Sequence, residues 1–480
     1  MDLNGRVRPI VKPEVFRKQT GGLLLKQNKR HAVDKFGYIQ SGVGNAFGME
    51  KIINQISLVR DYEPSWNHVS KDLINAFGSI FRLMILSGLR KSFESLVPYF
   101  LNTFGEVNTL LFKREIIVAI QSGEGGGQGD PLMPLFFAVG YHELLLHLEE
   151  RVVVGITRAF LDDTNLTGPT DVLISALEFF ISEGMKYGLE LQPLKTQILI
   201  GEKATQEEAE IAMQKYLHVL GIYHCPGMHL HPNNQAGLNT ETYGIEVLGS
   251  PLGHPAFVSA WLDKYYTELE QEADRIMQYP DSQGQHLFLY YCFQPKVNHL
   301  MRTIPPNQIF PFLHRFDLLK RSILNAILHV QLTDDQWLQA TLPVKSGGFG
   351  LTNSVLYCEA AYLAACHSSY ESVRAVYIHI ASSEEGFDET PWAKTFHALN
   401  SKLGIEFRPE ASQSKGLQRM FSKPLQITFA EEYHRRMAED LLVTAYDKAR
   451  LLSVQGPHAG AFLHAVPKTR NSLSMTSREF

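Results

Sequence analysis

Cysteine is scarce in this chain: Cys225, Cys292, Cys358 and Cys366 are four in 480 residues, and none sits in CxxC spacing. That excludes a disulfide framework and leaves reduced core thiols. No run of 18 apolar residues occurs, which argues against a membrane-spanning helix. The opening Met1-Asp2-Leu3-Asn4-Gly5-Arg6 lacks the apolar segment of a secretory signal. The expected location is therefore intracellular, nuclear or cytoplasmic, with no membrane partner. Internal repeats and low-complexity tracts are absent. A positive net charge is absent too: the formal value is −5, which excludes a histone-like, purely electrostatic nucleic-acid binder.

What is present is the composition of a folded protein, 44% hydrophobic and 20% charged, with length for two to four structural units. Positive charge is concentrated near the start. Arg6, Arg8, Lys12, Arg17, Lys18, Lys26, Lys29, Arg30 and Lys35 face only Glu14 and Asp34 in residues 6–35. A solvated basic face and a phosphate-binding surface both fit that pattern. Gly21-Gly22, Gly42 and Gly44 read as loop markers. Helical spacing runs over 72–90 and 92–104, and a strand-like stretch over 107–120. Two short strands around a turn are predicted at 152–168, then an amphipathic helix at 171–187 stopped by Gly188. Residues 202–245 read as a polar insertion, 255–340 as helical, and 351–480 as mostly helical with a polar linker near 384–415.

Four segments carry chemistry. Ala159-Phe160-Leu161-Asp162-Asp163-Thr164-Asn165 puts adjacent carboxylates at the tip of the predicted strand–turn–strand. Carboxylates this close raise one another's pKa. A divalent cation removes the conflict, and hard oxygen ligands suit Mg²⁺; a solvated Asp-Asp turn is the plain alternative. Lys71-Asp72-Leu73-Ile74-Asn75-Ala76-Phe77 sets a carboxylate where a strand hands over to a helix, with a helix N-cap as its alternative role. In Gly127-Gln128-Gly129-Asp130-Pro131, Asp130 is placed as an N-cap and Pro131 at the first helical position. Gly188-Leu189-Glu190-Leu191-Gln192-Pro193-Leu194-Lys195-Thr196 turns into a strand that ends on a lysine. A fifth cluster, His224, Cys225, His229 and His231, has zinc-ligand residue types but the spacing of no zinc module.

Taken in order, Asp-x-x-Asn-Ala-Phe, Gly-Gln-Gly-Asp-Pro-Leu, Phe-Leu-Asp-Asp and Gly-Leu-x-Leu-x-Pro-x-Lys-Thr resemble the palm motifs of reverse transcriptases. In particular they look like those of non-LTR (LINE-type) retrotransposons. Arg8-Pro9-Ile10 with Glu14-Val15-Phe16-Arg17 resembles the preceding finger motif. Val247-Leu248-Gly249-Ser250-Pro251-Leu252-Gly253 resembles the primer-grip turn, and Pro295–Arg302 and Leu342–Leu351 resemble thumb and post-thumb segments.

The resemblance implies an α+β right-hand polymerase: partial fingers at 1–60, a palm with an antiparallel sheet at 61–253, a helical thumb at 254–345, and a helical C-terminal extension at 346–480. It implies RNA-directed DNA polymerase activity on an RNA template, a DNA primer and deoxynucleoside triphosphates, with two Mg²⁺ or Mn²⁺ ions. Asp72 and Asp162 would be the shared metal ligands, Asp163 would support them, and Lys195 would protonate the leaving pyrophosphate. Arg8, Phe77, Gln128 and Gly129 would contact the nucleotide, and Gly249 and Pro251 the primer. Phe77 would exclude a ribose 2′-hydroxyl, which argues against an RNA-dependent RNA polymerase. The chain outline implies a fragment of such an element, lacking upstream finger segments and any endonuclease. A decayed or co-opted nucleic-acid-binding remnant is the rival expectation. Val69-Ser70-Lys71 is more polar than the strand usual at that place, so a short strand is expected there.

Overall fold

Helices make up most of the chain, and a small mixed sheet lies among those of its first half. The computed structural model describes residues 12–113, 117–233, 235, 237–406, 416–455, 460 and 463. In chain order the elements are α1 (Val15–Phe36), α2 (Gly48–Tyr62), β1 (Asn67–Lys71), α3 (Ala76–Ser79), α4 (Arg82–Ser92), α5 (Val97–Phe104), β2 (Asn108–Lys113) and β3 (Ile117–Ser122). There follow α6 (Met133–Arg151), β4 (Ile156–Phe160), β5 (Asp163–Gly168), α7 (Thr170–Gly184), β6 (Gln197–Leu199), α8 (Gln206–Leu220), β7 (Met228–His229), β8 (Gly244–Val247) and β9 (Ser250–Gly253). The rest is helical: α9 (Pro255–Met277), α10 (Ser282–Leu287), α11 (Asn298–Thr303), α12 (Pro306–Leu328), α13 (Asp334–Thr341), α14 (Ser354–Ala381), α15 (Pro391–Leu403), α16 (Leu417–Glu439) and α17 (Ala445–Ser453). Among the described residues no helix is long and apolar enough to cross a membrane.

The chain divides into two units, 1–252 with 369–393, and 253–368 with 394–480. In the first, the five-stranded sheet has the order β4-β5-β1-β6-β7. The expectation of an antiparallel sheet holds for four of its strands, but β7 pairs parallel with β6, so the sheet is mixed. One face packs on α6 and α7. Helix α6 is buried on nearly every side, from Met133 through Leu148, as an apolar helix inside a core must be. Val69, Leu166, Ala159 and Ile198 meet Leu144, Leu145, Leu173 and Phe180 in that core.

The opposite face is polar and nevertheless buried. His68 of β1 lies between Thr167 Oγ1 at 2.8 Å and Asn165 Oδ1 at 3.2 Å. Arg158 of β4 donates from Nε to Gln55 Oε1 of α2 at 2.6 Å. The second unit is built around apolar contacts of α9, α11, α12 and α14. It also buries one ion pair, Lys320–Asp317 at 2.8 Å. Asp317 accepts from Ser354 N–H, and Lys320 donates to Ser354 Oγ, so the pair fixes the start of α14.

Two local expectations change. Gly21-Gly22 is not a loop but lies inside α1; a Cβ on Gly21 would come within 2.6 Å of Pro131 Cγ, so this glycine permits close packing instead. The expected polar insertion carries α8, started by a Thr205–Glu208 capping box.

His68 makes the fold acid-sensitive. Burial, reinforced by Arg60, holds its imidazole down to about 3 against the opposing hydrogen bond to Asn165. The unfolded chain takes up the proton near pH 6.5, whereas the folded chain resists it. Stability is therefore complete above pH 6.5 and is lost as the pH falls toward 3. From pH 7 to 4.5 the loss should be about 2–3 kcal/mol. Urea unfolding at the two pH values should show a correspondingly smaller loss in His68→Gln; equal losses in both proteins would refute this assignment.

Candidate active site

The site begins with strand register. β1 runs antiparallel to β5 with Lys71 opposite Thr164 and Ser70 opposite Asn165. One step further along the same register sets Asp72 opposite Asp163. Asp162 occupies the turn between β4 and β5, where Phe160 pairs with Asp163 across a two-residue connection. Asp72 and the adjacent pair Asp162-Asp163, 90 residues later in the sequence, thus reach one end of the sheet. Asp72 is not a helix N-cap: Asn75 holds that position for α3. Instead the Asp72 carbonyl accepts from Gln192 N–H at 2.9 Å, and Ile74 N–H donates to Glu190 O at 2.9 Å. These bonds fasten the lysine-bearing segment beside Asp72. Lys195 Nζ ends 4.0 Å from Asp72 Oδ2, with both side chains partly exposed.

Leu161, the first residue of the turn, has φ 58°. A left-handed leucine is strained, because its Cβ crowds the following carbonyl. A buried glutamine that the sequence did not single out compensates for this. Gln40 Oε1 accepts from Leu161 N–H at 2.7 Å, and Gln40 Nε2 donates to Leu161 O at 3.0 Å. The Gln40 segment also pairs with β4, through Ala159 N–H to Ile39 O and Ser41 N–H to Ala159 O. Gly42 follows because a Cβ there would lie 2.6 Å from both Leu161 N and Cγ. The Gln-Ser-Gly sequence was visible as a loop; only the fold shows what the glutamine holds.

Lys71 also escaped notice except as unwelcome polarity in a strand. It alternates with Asp72, so its side chain enters the α6–α7 side of the sheet, where it is 1% exposed. Nζ donates to Tyr141 Oη at 2.6 Å and stands 3.7 Å from the centre of the Phe180 ring. Burial lowers its pKa to about 7, opposed by Asp162 first, then Asp163 and Asp72.

The glycine-rich segment packs on α3. Gly125 N–H donates to Ile80 O at 3.0 Å and Gly126 N–H to Phe77 O at 2.9 Å. The Phe77 ring stacks on Phe137 with centroids 4.7 Å apart. Arg82 ties this region together, donating to the carbonyls of Phe104, Glu106, Ser122 and Gly125. Gln128 and Gly129, with φ 115° at the glycine, lead toward α6. That helix starts at Met133, later than expected, with Leu132 and not Asp130 at its cap position. The Asp130 carboxylate, 3% exposed as a residue, accepts from Leu132 N–H at 2.9 Å and pairs with Arg17 at 2.8 Å. The expected finger and glycine-rich motifs therefore touch through Arg17.

Gly249 lies in the two-residue turn between β8 and β9, and both Leu248 and Gly249 are left-handed, as in a type I′ hairpin. Pro251 is buried in β9. This hairpin joins β6 through Glu246 N–H to Gln197 Oε1 at 3.2 Å. Arg8 lies outside the described residues.

Among the described residues no group of three or more His, Cys, Asp or Glu side chains gathers around a point that could hold a metal ion. For the aspartates, donor chemistry and backbone placement fit a divalent cation, and binding requires the carboxylates to turn toward a common centre. For the histidine-rich cluster the fit fails. Cys225 is buried with Sγ directed to Thr196 O, His229 is bonded to Thr242 O, and His231 meets the Tyr243 ring edge-to-face.

No family model matches the sequence. A partial relative does exist. Over 175 residues the chain is 29% identical to the 132 kDa protein of the retrotransposable element SLACS from Trypanosoma brucei gambiense; the match covers 35% of this chain and 14% of that protein. Among solved structures, similarity extends to a telomerase from Candida albicans in complex with a fragment of telomeric RNA. There the TM-score is 0.32 and identity 12%, over 84% of this chain and 57% of that one. An apo telomerase from Candida tropicalis gives a TM-score of 0.36 and 10% identity, over 78% and 60%.

The turn yields a direct test. Gln40→Ala leaves both Leu161 backbone groups unpaired and should cost about 1–3 kcal/mol in chemical denaturation. Gly42→Ala should also destabilise, while Leu161→Gly, which relieves the left-handed strain, should not. A Gln40→Ala protein as stable as the wild type would show that the glutamine does not hold the turn.

Proposed function

We propose that this chain is an RNA-directed DNA polymerase of the retrotransposon reverse-transcriptase type, extending a primer 3′-hydroxyl with deoxynucleotides. The observation that carries this reading is the β1–β5 register, which brings Asp72 beside Asp163 with Asp162 in the adjoining turn. The partial similarity to a retrotransposable element protein supports it.

Asp72 and Asp162 would hold two Mg²⁺ or Mn²⁺ ions, with Asp163 adjacent. Bound there, the ions would stabilise charge on the attacking and leaving oxygens. Lys195 brings its Nζ to 4.0 Å from Asp72, where it could give a proton to a departing pyrophosphate. Phe77 offers an aromatic wall to the sugar of the incoming nucleotide, and its stacking on Phe137 restrains it against yielding to a 2′-hydroxyl. Gln128 and Gly129 would meet the nucleotide from the mouth of the glycine-rich turn. Arg8 would pair with its triphosphate, since a guanidinium binds phosphate oxygens in a bidentate manner. Gly249 and Pro251 would shape the hairpin that supports the primer.

Primer extension on an RNA template with Mg²⁺ or Mn²⁺ tests the reading. Extension should fall on the order of 10²–10³-fold in Asp162→Ala, and Phe77→Ala should raise the use of ribonucleotides. Nucleic-acid binding without extension in the wild type would favour a non-synthesising remnant, a reading for which the ungathered carboxylates speak. Equal use of ribonucleotides by the wild type would indicate RNA synthesis instead.

A further inference from the structure

Arg82 opens α4, five residues after Phe77, and its guanidinium is spent on backbone carbonyls. Nε donates to Gly125 O at 3.1 Å, Nη1 to Phe104 O at 3.1 Å and Glu106 O at 2.8 Å, and Nη2 to Ser122 O at 3.0 Å. These carbonyls belong to the end of α5 and the residues after it, the end of β3, and the glycine-rich loop beyond. A planar fork of N–H donors is what lets one side chain serve so many acceptors. The Phe104 ring covers the fork, its centre 5.5 Å from Cζ.

The loop gripped in this way is also bonded to the Phe77 segment. Gly126 N–H donates to Phe77 O at 2.9 Å, Gly125 N–H to Ile80 O at 3.0 Å, and the Glu124 carboxylate accepts from Arg82 N–H at 2.7 Å. The approach is close because both glycines lack a Cβ. One on Gly125 would lie 2.4 Å from Phe77 O, and one on Gly126 2.2 Å from Met133 Sδ. Helix α3 is a single turn, Ala76–Ser79, too short to hold its place unaided. Phe77 thus has two supports: the Phe137 ring, stacked at 4.7 Å between centroids, and the glycine loop bonded to its carbonyl. Arg82 anchors the second.

We propose that Arg82 is a positioning residue for sugar selection: by pinning the glycine loop against α3, it keeps the Phe77 ring from yielding to a ribose 2′-hydroxyl. The proposal rests on the reading of the chain as a DNA polymerase in which Phe77 meets the sugar. An aromatic wall discriminates only while it cannot retreat, and a misplacement of about 1 Å is enough to change a rate strongly. Without the fork, the loop keeps its two backbone bonds to α3 but loses its anchors at α5 and β3. The Phe77 segment then gives way together with the loop.

The test is primer extension on an RNA template by the full chain, with a deoxynucleotide and the matching ribonucleotide supplied in separate reactions. The ratio of their kcat/KM values is the readout, because merely structural damage lowers both and leaves the ratio unmoved. Arg82→Gln should lower the ratio about tenfold. Arg82→Lys keeps the charge but not the fork and should lower it nearly as far; full discrimination in that variant would overturn the role of the fork. Added to Phe77→Ala, Arg82→Gln should change the ratio by less than about twofold, since the wall it supports is gone. A further drop as large as in the single variant, or an unchanged ratio in Arg82→Gln alone, overturns the proposal.

If Arg82→Gln does not fold, Glu124→Ala decides. Glu124 is exposed, and its truncation loosens the same loop only at the Arg82 N–H. The ratio should then fall about threefold, and no change would overturn the proposal. Failure of the underlying reading has its own signature. A wild-type chain that extends no primer, or that uses both nucleotides equally, overturns the polymerase assignment or the Phe77 wall, and the role of Arg82 with it.

Discussion

The antiparallel pairing of β1 with β5 is the constraint on which the candidate site depends. Strand pairing has a period of two, so a slip of one residue would exchange Lys71 with Asp72 across the sheet. The carboxylate would then face Phe180 and the ammonium would face solvent. Several contacts hold the register at once: Val69 and Leu166 in the core, His68 between Asn165 and Thr167, and Lys71 on Tyr141. Both faces of these strands are buried, one apolar and one polar, and each rejects the slipped pairing.

The second element of the site is strain held in place by neighbours. A leucine in the left-handed region at the head of the Asp162 turn is costly in isolation. Gln40 satisfies its backbone, and Gly42 leaves room for its side chain. The turn is thereby fixed from outside the hairpin, by a segment about 120 residues earlier. Arg82 plays a comparable part for the glycine-rich loop, since its guanidinium gathers carbonyls from both sides of the β2–β3 hairpin. Neither residue need touch a substrate for the placement of the turn and the loop to depend on it.

Much of this was legible in the sequence because it follows from local pattern. The alternation around Phe160–Asp163 indicated a hairpin, and Gly188 does occupy the left-handed position that stops the helical run before it. The helices of the second half followed from apolar spacing. Where reading failed, a distant partner had changed the meaning of a residue. Gly21 looked like a loop marker because glycine usually is one, but Pro131 and Tyr99 require its missing side chain inside a helix. Asp130 looked like an N-cap, and one of its oxygens does accept from Leu132 N–H; the other is taken by Arg17, more than a hundred residues away.

By itself the sequence determined which groups are available: three aspartates in two recognisable segments, a lysine after a turn, and an aromatic following the first aspartate. Those are properties of residue type and short spacing, which a chain carries before it folds. Tertiary structure alone decided how they meet. It carried β1 to the end of β5, so that Asp72 follows the Lys71–Thr164 pair, brought Lys195 alongside, closed Gln40 on the turn, and buried Lys71 against Tyr141 and Phe180. Charges and hydrogen bonds act through distances of a few ångströms, and such distances between remote residues exist only once the strands have paired.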